Sequence, residues 1–228
     1  MTGTLCNGRA RWSHGPGLSL ATLLLLACAG PKAAAPPAAT TAPAGATLSD
    51  AERAAAVQDL EASRQAFLTS LQGLSEAQFH FKPGPDRWSV AEVAEHIAVS
   101  EDLLRGMVTD KLVRTPTPPE LLAQVQHDDA RLRQLVTDRS VPRKAPEMLK
   151  PTGRFPTAEA VRAAFSQSRD RTVAYVQTTR DDLRGHAGPH PLLKALDGYQ
   201  WLLLLSAHSS RHTAQIEEVK ADPKFPRS

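Results

Sequence analysis

Asp197-Gly-Tyr-Gln-Trp201-Leu-Leu-Leu-Leu205-Ser-Ala-His208-Ser-Ser-Arg-His212-Thr-Ala-Gln-Ile216-Glu-Glu-Val219-Lys220 reads as one long helix. Asp197 followed three residues later by Gln200 is a helix start, because each side chain can satisfy a backbone N–H that the first turn leaves free. Trp201, Leu205, His208, His212, Ile216 and Val219 recur at helical spacing and form one stripe. Three more segments have the same grammar. Ser49-Asp-Ala-Glu52 opens a helix over roughly 49–73, with Leu60, Phe67, Leu71 and Leu74 at core spacing. Ser89-Val-Ala-Glu92 opens another over roughly 89–113, whose inward stripe is Val93, His96, Ile97, Ser100, Leu103 and Leu104. Thr157 precedes a segment over roughly 158–180, marked by Val161, Phe165, Thr172 and Val176. Between the second and third of these lies a proline-rich connection, 115–156. Within it, 119–137 is expected to form a charged helix opening on Pro119, and 138–156 to be irregular. No segment alternates apolar and polar residues over the length of a strand. The expectation is therefore an all-α four-helix bundle over residues 48–220, with 221–228 as a C-terminal tail.

Composition agrees with a folded body and constrains its partners. The chain has 228 residues, 41% hydrophobic and 22% charged, ordinary values for a globular protein. Phe, Trp and Tyr together number only eleven, so the core must be mostly aliphatic. The net charge of +3 sits in the first 47 residues, which hold Arg9, Arg11 and Lys32 and no acid. The remainder balances 24 basic against 24 acidic side chains. A neutral body lacks the broad positive field that nucleic-acid binding needs, so no nucleic-acid partner is expected.

The N-terminus reads as an address. Arg9 and Arg11 precede a short apolar run, Leu18 to Cys28, below the ~20 residues of a membrane-spanning helix. Positive flank, short apolar segment and small residues make an export signal. Leu25-Leu26-Ala27-Cys28 resembles a bacterial lipobox, which implies a signal peptide over 1–27 and a lipidated Cys28. Ala29 rather than Asp follows, so the resemblance implies a periplasm-facing lipoprotein of the cell envelope, with the outer membrane as its destination. Residues 29–47 hold nine Ala and four Pro, and the Ala/Pro-rich linker over 28–47 is expected to tether the body to the membrane. With Cys6 in the signal and Cys28 acylated, the body has no thiol of its own. Any thiol in its chemistry must come from a substrate.

The candidate site lies among the histidines. Of seven in the body, His96, His208 and His212 fall on predicted inward stripes. His208 and His212 are one helical turn apart, so both imidazoles share a face and can reach one ion. Buried imidazoles need partners, and a metal would supply one to all three. Several familiar sites do not fit. His208-Ser-Ser-Arg-His212 lacks the Glu of a His-Glu-x-x-His protease. Glu92 and Glu95 lack the Glu-x-x-His offset of a di-iron bundle. Neither a Gly-x-Ser-x-Gly elbow nor a glycine-rich phosphate loop is present.

Phe81-Lys82-Pro83, Trp88-Ser-Val-Ala-Glu92-x-x-x-His96 and the 197–216 block resemble the DinB-like superfamily of DinB/YfiT-like metalloenzymes. The likeness covers about 48–220. It implies a four-helix bundle with a metal held by three histidines, one on the second long helix and two on the fourth. His96, His208 and His212 stand at those positions. It also implies a divalent metal, with zinc first and nickel, iron or manganese as alternatives. A small-molecule substrate, including small thiols, and a homodimer are further implied. Export is the departure from that pattern, because the thiols used by characterised relatives are cytosolic.

Three neutral imidazoles leave a coordination position open, the arrangement of a catalytic rather than a structural site. Metal-dependent hydrolysis and thiol transfer are then the two expected reactions. The alternative is a non-catalytic, membrane-tethered helical module that binds a partner or small ligand. Around the triad, Glu92 is expected to cap Ser89 rather than to shuttle protons, with a hydrogen bond to His96 as a further option. Arg211 is expected to bind an anionic substrate group or to pair structurally, and Gln215 to face the metal or solvent. Trp88 is expected to plug the end of the bundle. His186 and His190 fall in a loop, and His80 and His127 on the surface.

Overall fold

The computed structural model describes residues 47–227. The predicted signal peptide, Cys28 and nearly all of the 28–47 linker lie outside the described residues. Four long helices carry the fold: α1 (Asp50–Ser70), α3 (Val90–Gly106), α6 (Ala158–Thr178) and α7 (Gly198–Lys220). Each starts where its cap predicts. Ser49 with Glu52, Ser89 with Glu92 and Asp197 with Gln200 form reciprocal capping boxes, and the Thr157 hydroxyl accepts from the Ala160 N–H. Helix α7 packs on α1 and α3, and α6 packs on the same two, so the four close into a bundle. The short α5 (Asp129–Thr137) lies against the outside of α7.

Several elements depart from the sequence expectation. The five-residue α2 (Glu76–His80) has its own capping box, Ser75 with Gln78, but is too short to show a period. Beyond Gly106, α3 widens into a π-helical turn, Met107–Lys111, then tightens into a 3-10 turn, Leu112–Arg114. Val108 and Leu112 are both buried there. The expected 119–137 helix is two: α4 (Pro119–Leu122) and α5. Asp128 restarts the winding by accepting from the Arg131 N–H at 2.9 Å, after Val125 has bridged to Ala195.

The absence of strands was a wrong expectation. β1 (Ala187–His190) and β2 (Lys194–Asp197) pair antiparallel, with Ala187 opposite Asp197 and His190 opposite Lys194. Four-residue strands containing Gly188 and Pro189 carry no readable alternation. Residues 221–227 do not trail away: Phe225 packs edge-on against Phe81, with centroids 5.4 Å apart, and the Pro226 carbonyl accepts from Gln78.

Within the bundle the core is two apolar clusters separated by a polar belt, and a third, smaller cluster joins Val125 to Ala187 and Ala195 of the hairpin. On α1, Ser63 separates Leu60 from Phe67; on α3, Ser100 and Glu101 separate Ile97 from Leu104. On α6, Ser168, Arg169 and Thr172 follow Phe165; on α7, the span from His208 to Thr213 lies between Leu205 and Ile216. One predicted core position fails: Leu103 is 40% exposed, on the flank of the stripe that Leu104 completes.

Candidate metal centre

The belt brings His96, from α3, against His208 and His212, from α7. One nitrogen from each of the three rings lies within 4.8 Å of the other two. His96 Nε2 is 3.2 Å from His208 Nε2. Two nitrogens each bound tetrahedrally to one zinc lie about 3.3 Å apart, so the pair already has the spacing of ligands. The outer nitrogens of His96 and His212 are occupied. His96 Nδ1 lies 2.8 Å from the Leu149 carbonyl oxygen, and His212 Nδ1 lies 2.8 Å from Gln215 Oε1. Each bond places the ring proton on Nδ1 and leaves the Nε2 lone pair facing inward. The donor set therefore fits a divalent metal.

The electrostatics favour neutral rings. Burial pushes His96 below its ordinary value despite the Leu149 bond. Burial, then repulsion from His212 and His96, pushes His208 well below 6.5. Burial and the neighbouring His96 bring His212 down to about 3. A neutral imidazole is the form that binds metal. His96 is buried, whereas His208 and His212 each keep a partly exposed edge. Trp88, its ring centroid 5.1 Å from that of His96, covers the group from the start of α3. The Ser100 hydroxyl, one turn beyond His96, is buried without a hydrogen-bond partner among the described residues.

The surrounding candidates separate. Gln215 faces His212. Glu92 does not reach His96: its carboxylate takes the Ser89 N–H at 2.7 Å and Lys82 Nζ at 2.9 Å. Arg211 is not poised for a substrate anion. Its guanidinium is buried and donates to the carbonyls of Val136, Asp138 and Val141, clamping the chain after α5 onto α7. His190 lies in β1 rather than a loop, with its ring 5.3 Å from that of Trp201. His186 bonds the Thr115 carbonyl. His127 is not an ordinary surface residue. Its Nδ1 lies 3.2 Å from Asp197 Oδ2, which raises its pKa and ties it to the cap of α7. His80 is exposed beside the Pro156 carbonyl.

Two features escaped the sequence. The Glu95 carboxylate accepts from the backbone N–H groups of Thr152, Gly153 and Arg154. The fully buried Glu101–Arg169 pair fills the other half of the belt. Both link residues more than fifty positions apart, and only charge at an inward helical position hinted at them.

A sequence model of the DinB superfamily matches residues 59–216, which include all three histidines. The chain belongs to the DinB superfamily. It is similar to the uncharacterized protein YuaE of Bacillus subtilis (strain 168), with 24% identity over 150 residues, 66% of this chain and 88% of YuaE. Among solved structures it is similar to YfiT from Bacillus subtilis, described as a probable metal-dependent hydrolase with an unusual four-helix bundle topology. That likeness has a TM-score of 0.46 and 17% identity, covering 76% of this chain and 89% of YfiT.

Proposed function

We propose that this chain is a metal-dependent enzyme of the cell envelope, held to the membrane through Cys28, that performs hydrolysis or thiol transfer on a small molecule. The observation that carries the reading is the convergence of three imidazoles, two of which already have their other nitrogen engaged. His96, His208 and His212 would hold the metal. When bound there, a divalent ion acts as a Lewis acid, polarising a substrate oxygen and lowering the pKa of a water or thiol in the open position. The protein's own groups prepare that position. Leu149 and Gln215 orient two of the rings, Trp88 excludes water from the His96 side, and the partly exposed edges of His208 and His212 leave room for a substrate. The body contributes no thiol, so in a transfer reaction the nucleophile arrives with the substrate.

Elemental analysis of protein produced from residue 48 onward tests the reading. Near-stoichiometric zinc, nickel, iron or manganese is expected, and its loss in His96→Ala, His208→Ala and His212→Ala variants that still fold. Protein that stays metal-free after incubation with each of those salts overturns the enzyme and leaves a tethered binding module. Anchoring is tested separately, by incorporation of labelled palmitate into the full chain and its disappearance in Cys28→Ala.

A further inference from the structure

Glu95 is 3% exposed and takes part in none of the ion pairs among the described residues. A buried carboxylate is costly unless its lone pairs are filled. Here they are filled by one short stretch of chain. Oε1 accepts from the Thr152 N–H at 2.7 Å and its hydroxyl at 3.1 Å; Oε2 accepts from the Gly153 N–H at 2.8 Å and the Arg154 N–H at 3.0 Å. Three successive N–H groups can meet one anion only in a tight turn, and Gly153, with φ +81°, makes that turn. Three residues before Thr152, Leu149 closes the 3-10 turn Glu147–Leu149 and sends its carbonyl to His96 Nδ1. Neighbouring residues of α3 thus grip the same crossing segment in opposite senses. Glu95 accepts its N–H groups, and His96 donates to its carbonyl.

We propose that Glu95 is a positioning residue for the metal centre, holding the 147–154 segment so that the Leu149 carbonyl fixes the His96 ring with Nε2 turned toward His208. The proposal builds on the three-histidine reading above, but its local half concerns the ring of His96 with or without metal. Without the carboxylate, three N–H groups lose their acceptor and the segment lifts from α3. His96 then loses the bond that selects its tautomer. Outer partners of this kind are worth ~10–100-fold in metal affinity.

The test compares the full chain with Glu95→Gln, Gly153→Ala and Glu101→Gln. Gly153→Ala attacks the same turn from the segment's side, through strain at a positive φ. Glu101→Gln removes an equally buried carboxylate from the same helix, one that faces Arg169 instead. In metal-free protein, long-range proton–nitrogen NMR of the imidazoles is expected to show His96 protonated at Nδ1 in the parent and in Glu101→Gln. A mixture of tautomers is expected in Glu95→Gln and Gly153→Ala. The Zn²⁺ dissociation constant is expected to rise ~10–100-fold in those two alone. Folded Glu95→Gln and Gly153→Ala proteins that keep the parent tautomer overturn the proposal. If Glu95→Gln does not fold, Gly153→Ala decides. If the parent binds no Zn²⁺, the metal reading fails, and the tautomer measurement still decides whether Glu95 positions His96.

Discussion

The two halves of the polar belt use their polar side chains in opposite ways. In one half, Arg169 has every N–H satisfied. It donates to both Glu101 oxygens at 2.8 Å, to Ser63 and Ser209, and to the Leu60 carbonyl. Thr172 fills a further position on Glu101 at 2.8 Å, and the guanidinium lies over the Phe165 ring. Nothing is left over to bind a ligand. In the other half, the outer nitrogens of His96 and His212 are engaged while the inner ones crowd together. A closed network ties helices; an open one waits for a ligand. The same helices, α3 and α7, border both, so the difference lies in side-chain satisfaction rather than in the fold.

The largest effect should come from breaking the closed half. Arg169→Ala strands the Glu101 carboxylate and should cost ~3–5 kcal/mol by denaturant unfolding. Replacing both partners together, Arg169→Met with Glu101→Leu, should recover most of that loss. If the double variant is as unstable as the single, the pair is not the sealed unit described. The open half should respond to ligand instead. Zn²⁺ at a hundred times its dissociation constant should raise the stability of the parent by ~2.7 kcal/mol, and that of His208→Ala not at all. An equal shift in both proteins would place the metal elsewhere.

Acid sharpens the contrast further. His212 is held at about 3 in the folded protein, against an ordinary 6.5. The unfolded chain therefore takes up a proton that the folded one refuses. Its contribution is intact above 6.5 and is lost as pH falls from 6.5 toward 3, at up to ~1.4 kcal/mol per pH unit. In metal-free protein, His212→Ala should flatten that slope. The smallest effect has the opposite sign. Asp197 raises the pKa of His127, so its contribution is present below 6.5 and fades as pH climbs through the raised value. His127→Ala should narrow the stability gap between pH 6 and pH 8, seen in the thermal midpoint.

Much of this arrangement was legible beforehand, for local reasons. The caps at Ser49, Ser89 and Asp197 use partners three residues away, and the helical stripes repeat every turn. Both signals therefore survive in a single sequence. His208 and His212 fall on one face by the same arithmetic. The hairpin was not legible, because its strands are four residues long and gain their place by lying beside Trp201 and pairing with Val125. Nor was the role of His127, which depends on the cap of a helix seventy residues later.

What the sequence determined by itself is the set of four amphipathic helices, where each begins, and that three histidines face inward. The tertiary structure alone decided which nitrogens of His96 and His212 are engaged, that Glu95 holds a loop while Glu101 holds Arg169, and that Arg211 clamps backbone instead of greeting a substrate. The physical reason is range. Capping and periodicity are interactions within a turn or two, while hydrogen-bond satisfaction in a core joins residues that only the completed bundle makes neighbours.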